Sequence, residues 1–228
     1  WMVAAKAGAA NKLGYIAAHS AIVLVCVGGL LDGDLVVRVQ MLLGGTITNA
    51  AGAVISGVSS VGLSRANAST ITNSGTMFGT LQVINTGALT LNNLAGGIIS
   101  SANSAVDSSA GQLIITNAGD IVGTSWGIVG RNAADSIVNT GRIASGTLAA
   151  GVIIAGGSNA VLLASGGTLT NNAGAQIIGA ANVVQFNASG TITNAGTIRG
   201  TASGTLTAVN MFGANSIVTN LAGGTISG

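Results

Sequence analysis

From residue 44 onward the apolar positions come in short pulses, and the clearest pulses alternate with period two. TITN at 46–49, 70–73 and 191–194 places one Ile between two Thr residues. Such alternation sends the Ile to one face of an extended segment and the Thr residues to the other. Thr, Ile and Val also suit a pleated, half-buried surface. Each phrase runs into N-x-G or N-x-A-G, where Asn and Gly tolerate the backbone of a tight turn. A second short apolar pair follows, as in TIRG at 197–200. A third, less regular pulse precedes the next phrase: VSSVGL (58–63), LQVI (81–84), GIVG (127–130), GVIIA (151–155), NVVQF (182–186) and LTAVNMF (206–212). Helical periodicity is weak in these windows, and AVLLA (160–164) is too short for a helix.

The phrase is a repeat. Its closing Asn falls at Asn49, Asn73, Asn93, Asn117, Asn139, Asn171, Asn194 and Asn220, with steps of 24, 20, 24, 22, 32, 23 and 26 residues. A period near 24 residues, holding three short strands and three corners, predicts an all-β chain. The expected fold is a right-handed parallel β-helix of about eight coils. The residue before each Thr-Asn or equivalent pair then stacks into an inward ladder: Ile47, Ile71, Leu91, Ile115, Ile137, Leu169, Ile192 and Val218. One coil has no core of its own, so its neighbours must supply it. At ~4.8 Å per coil the whole would be a rod about 40 Å long. The eight Asn residues are expected to form a structural ladder of amides along one corner, each bonding to the next coil. Two corner forms alternate, a short N-x-G (NSG, NAG, NTG) and a longer N-x-A-G (NAAG, NLAG, NNAG), consistent with a corner that accepts more than one turn. Insertions in such folds map to loops, so the 32-residue step after Asn139 should be a protruding loop or an extra strand.

Composition narrows the function. The chain of 228 residues is 48% hydrophobic and 5% charged, with 37 Gly and no Pro. Disordered chains are poor in apolar residues and rich in charge, and collagen needs a strict Gly triplet with Pro, so both classes are excluded. A net charge of +2 without a basic cluster gives no field for a polyanion, so no nucleic acid partner is expected. His19 and Cys26 are each unique in the chain and suit buried or packing roles better than a nucleophile pair, which would need a third orienting group. No spacing of His, Cys and Asp suggests a metal, and no cofactor is expected. Glycoside hydrolysis, a chemistry that solenoids can host, needs two carboxyl groups about 5–10 Å apart. The acids are Asp32, Asp34, Asp107, Asp120 and Asp135, and no two of them form a pair of carboxylates. Asp120 and Arg142 each lie three residues after an anchor Asn, so they should meet as a surface ion pair between adjacent coils. Asp107 and Asp135 fall on other corners with no evident register match. Trp126, near Arg131, is the one candidate for a ligand contact, set against simple packing at a corner. The chain is therefore expected not to be an enzyme.

The ITNSGT-type phrases joined by GIV-containing strands resemble the passenger domains of Gram-negative autotransporters and, more broadly, secreted β-helical adhesins. The resemblance covers residues 44–228. It implies display at a bacterial cell surface, adhesion or cell aggregation, partners on host or sister cells or a second copy, and attachment to the outer membrane only through a β-barrel that this stretch does not contain. Because NLAGGTISG is still within a repeat, the chain resembles a passenger fragment. The alternative is a subunit of an extracellular fibre that polymerises head to tail through open strand edges. Residues 1–43 depart from the repeat. Lys6 and Lys12 precede the apolar run AIVLVCVGGLL (21–31), which suggests either a residual signal-like segment or an N-terminal cap with LVVRVQML (35–42) as its first strand.

Overall fold

The computed structural model describes residues 14–23, 45–63, 67–84, 87–202 and 207–228. The chain divides into two compact units, Trp1–Gln40 and Met41–Gly228. In the first unit, residues 14–23 form a helix, α1, with every residue exposed. Cys26, Asp32, Asp34 and the expected strand at 35–42 lie outside the described residues, as does most of the apolar run. Among the described residues no helix is long and apolar enough to cross a membrane.

The second unit is a parallel β-solenoid. Its first ladder joins eight strands, one per rung: β1 (Thr46–Asn49), β3 (Ser69–Asn73), β5 (Leu89–Asn93), β8 (Leu113–Asn117), β11 (Asp135–Asn139), β15 (Gly167–Asn171), β18 (Gly190–Asn194) and β21 (Ile217–Asn220). The steps from β1 to β21 make about seven turns. Register keeps each phrase over the next, with Ile47 on Ile71, Leu91 on Ile115, and Asn49 on Asn73. A second ladder takes β2 (Val54–Leu63), β4 (Thr76–Val83), β6 (Ile98–Ser101), β9 (Asp120–Gly123), β12 (Arg142–Ala149), β16 (Gln176–Gly179), β19 (Thr197–Gly200) and β22 (Thr225–Ser227). The third takes the far ends of β2 and β4, then β7 (Ser104–Ser108), β10 (Trp126–Gly130), β14 (Val161–Leu163), β17 (Val184–Phe186) and β20 (Val209–Met211). The long strands β2 and β4 bend from the second ladder into the third and unite the two in one sheet.

The core is the set of inward columns. Ile71, Leu91, Ile115, Ile137, Leu169 and Ile192 are all buried on the first ladder. Met77, Ile99, Ile121, Ile143, Ile177 and Ile198 are buried on the second, and Leu81, Val106, Ile128, Val161 and Val184 on the third. Each such side chain contributes about 1.5–3 kcal/mol by leaving water. Volume is balanced across the corner that links the third ladder to the next rung. Phe186 closes one rung, and the next opens with Gly190, where an added Cβ would sit 2.1 Å from the Phe186 ring. Gly130 faces Asp135 in the same relation.

Both corner forms follow from backbone chemistry. In the long form the third residue after the Asn is Gly52, Gly96, Gly174 or Gly223, with φ of 79°, 81°, 80° and 83°. Ala53 N–H donates to Ala50 C=O at 3.0 Å, and the other three corners repeat that bond. A positive φ at the third position of a hydrogen-bonded four-residue turn is the type II requirement, which Gly meets without strain. In the short form the Gly is needed for closeness instead: a Cβ on Gly119 would lie 2.1 Å from the Gly97 carbonyl oxygen of the rung beside it.

Two expectations about the third ladder are corrected. GVIIA (151–155) does not supply a rung; Val161–Leu163, inside AVLLA, does. SAVDS (104–108) supplies another that the apolar pulses did not single out. The reason is that both segments of the 32-residue step are short and apolar, and only register with the neighbouring rungs decides which is stacked. The displaced segment becomes β13 (Val152–Ala155), which pairs antiparallel with the far end of β12.

Candidate functional surface

The anchor Asn residues line the corner between the first and second ladders. Each donates a side-chain N–H to the amide oxygen of the next, and all seven bonds from Asn49 to Asn220 measure 2.8 Å. The second N–H of the same amide reaches a carbonyl at the start of the neighbouring rung's second strand, such as Arg142 from Asn117 at 3.1 Å. Asn73, Asn93, Asn117, Asn139, Asn171 and Asn194 are fully buried. A buried amide with both donors and its oxygen engaged holds rungs in register and has nothing left to offer a ligand. Asn220, on the last described rung, is exposed.

The carboxylates are dispersed. Asp120 and Arg142 sit opposite each other on β9 and β12. The guanidinium grips the carboxylate at both ends, each N–O distance being 2.6 Å. That hydrogen bond raises the Arg142 pKa above its ordinary value, partly opposed by burial. Asp107, which has no evident match by phrase, is paired all the same: Arg131, just after β10, donates to it at 3.1 and 3.2 Å. Both lie fourteen residues after their anchor Asn, Asn93 and Asn117, so the spacing was legible, although the ladder itself sets Val129 and not Arg131 directly opposite Asp107.

Asp135, which the sequence placed only at a corner without a register match, is buried. It opens β11 and occupies the inward column next to Gly167. Its Oδ1 accepts the Leu113 N–H at 2.7 Å, and its Oδ2 has no partner. Desolvation pushes its pKa from 3.8 up to about 6, and the bond from Leu113 partly opposes that rise. The smallness of Gly130 is the one sequence signal that room existed for it.

Trp126 opens β10, half-exposed, opposite Ser104. His19 Nδ1–H donates one hydrogen bond to the Tyr15 carbonyl within α1, at 2.9 Å. Among the described residues no group of His, Cys, Asp or Glu could hold a metal ion. The Thr pairs Thr46/Thr48, Thr70/Thr72, Thr168/Thr170 and Thr191/Thr193 face outward in register, while Ile114 and Val138 interrupt the array on the central rungs.

The feature that departs from the rod is the hairpin. Beyond Ser145, β12 leaves the ladder and turns through Ala150 (φ 48°) and Gly151 (φ 77°) into β13. Two central residues with positive φ make the type I′ hairpin turn. Arg142 donates to the Gly151 carbonyl at 2.8 Å and so links the turn to the ion pair below it. One face of the hairpin, Leu148, Ile153 and Ala155, packs on Val122, Ala144 and Ile178. Those three follow the inward Ile121, Ile143 and Ile177, so they point out of the solenoid, yet they are buried. The other face leaves Val152 63% and Ile154 59% exposed.

The fold defines the class: a β-solenoid built from a 24-residue repeat. Compared with protein families, residues 2–86 are similar to the ResB-like family. That stretch is less than half of the chain. It takes in the first unit and the opening rungs through β4, and it stops before the repeat from Leu89 onward. No curated protein and no solved structure matches the chain. The family likeness does not point to an autotransporter passenger, so that resemblance rests on the repeat residues alone.

Proposed function

We propose that the solenoid is a non-enzymatic rod for adhesion or cell aggregation, displayed on or secreted from a bacterial surface in the manner of a passenger domain. The observation that carries this is the hairpin β12–β13, an apolar element laid against the side of the rod and outside its ladders. Rungs that differ little from one another, with amides and most carboxylates engaged internally, supply length and rigidity. A hairpin with exposed Val152 and Ile154 supplies a distinct surface. Contiguous apolar exposure of this kind commonly marks contact with another protein. The three described carboxylates support the non-enzymatic side: two are ion-paired on separate strands and the third is buried. The test is to couple the chain to beads and score clumping and attachment to bacterial cells. Coated beads should clump or attach where uncoated beads do not, and equal dispersion of the two would overturn the proposal.

A further inference from the structure

We propose that a second copy of this chain adds to the free edge of β13, making an antiparallel β13–β13 pair at the centre of a four-stranded sheet shared by two rods. This rests on the aggregation reading and names its partner. Three observations on the hairpin lead to it.

β13 pairs with β12 along one side, and among the described residues no strand lies on its other side. An open edge presents unpaired N–H and C=O groups that another strand can satisfy. Natural edges are usually protected by Lys, Pro, a bulge or a covering loop. This one has no such protection within its own sequence: from Ile143 to Ile198 the chain carries no charged residue and no Pro.

The edge is also self-complementary. A two-fold axis through Ile153 sets Val152 opposite the partner's Ile154, and both positions lie on the exposed face. Opposed residues in an antiparallel pair share a face, and aliphatic β-branched pairs there are favourable. Ile153 and Ala155 stay on the inner face, against Val122, Ala144 and Ile178. No side chain has to turn over, and no like charges meet. A closed two-fold contact of this kind stops at two copies, which suits bridging between rods on facing surfaces.

The hairpin is presented firmly. Its inner face is packed, and its turn is tied by Arg142 to Asp120. Less ordering is therefore needed on pairing than for a mobile loop.

The experiment is sedimentation velocity on the whole chain across a concentration series, beside the double variant Val152→Lys/Ile154→Lys. Both side chains are exposed, so the variant should fold with an unchanged far-UV circular dichroism spectrum. Expected is a monomer–dimer equilibrium for the native chain. The association constant should fall at least a hundredfold in the variant, with part of the loss recovered at high salt because like charges then repel less. A native chain that stays monomeric at all concentrations, or a variant that dimerises as well as the native chain, would overturn the pairing. Beads carrying either protein separate this from the broader proposal. Clumping by both would leave aggregation standing and remove the β13 edge as its cause. Dispersion of both would remove aggregation itself.

Discussion

At the scale of single residues, the most informative side chain is Asp135. It was visible in the sequence only as one of five acids, at a corner without a register match. The polar-apolar alternation of DSIVN would place Asp135 with Ile137 on the inner face, but an acid there contradicts ordinary burial preference. Gly130 resolves the conflict by leaving the space that the carboxyl fills. The energetic consequence has a definite sign. A carboxyl whose folded pKa is about 6, against 3.8 unfolded, binds its proton more readily in the folded state. Stability is then greatest below pH 4, falls as pH rises through 6, and is flat above. Two pKa units correspond to about 3 kcal/mol. Asp135→Asn keeps an oxygen for the Leu113 N–H and removes the charge. Thermal melts from pH 4 to 8 should show the native chain losing stability up to about pH 6 and holding level above it, and the variant losing almost none from this site. Identical pH profiles would place the Asp135 carboxyl in water.

At the scale of elements, the repeat phrase was legible because it encodes both its strand and its corner. The Asn positions that align the sequence are the positions whose amides bond from rung to rung. The second ladder followed from the apolar pair after the corner. The third ladder was only partly legible. Its strands are three to five residues long and weakly alternating, and the rung after Asn139 offers two such segments, GVIIA and AVLLA. The 32-residue step was expected to hold a loop or an extra strand; it holds an antiparallel hairpin, formed by the GVIIA segment expected on the ladder. That outcome follows from Ala150-Gly151, a two-residue loop with both φ positive. Ala carries a Cβ penalty in that conformation of about 1–2 kcal/mol, which Asn tolerates better. Ala150→Asn should therefore tighten the hairpin. Native-state hydrogen exchange should show its amides protected by roughly a further 1 kcal/mol, with the ladder amides unchanged. Equal or faster exchange in the hairpin would argue against the type I′ turn.

At the scale of the whole solenoid, stability and recognition fall on different parts. Every rung is held by its neighbours, through strand pairing, inward aliphatic columns and the amide column. Removing one central amide should weaken the rod without altering its surface. Asn117→Ala strands an Asn93 N–H inside the corner and takes one of two donors from the Asn139 oxygen, and a buried unpaired group costs about 1–3 kcal/mol. The hairpin has the opposite character. Joining Ser145 to Ser158 through a short Gly linker would delete it, while the ladder strands and the Asn column remain. That deletion also uncovers Val122, Ala144 and Ile178, so serine at Val122 and Ile178 should accompany it to keep the surface wettable.

The most direct measurement of this division is bead clumping by three proteins held below their melting temperatures: the native chain, Asn117→Ala, and the hairpin-deleted chain with Val122→Ser and Ile178→Ser. The account predicts a clearly lower melting temperature but native clumping for Asn117→Ala, and loss of clumping for the deletion while its solenoid circular dichroism persists. Native clumping by the deletion, or lost clumping by Asn117→Ala with its melting temperature unchanged, would contradict it.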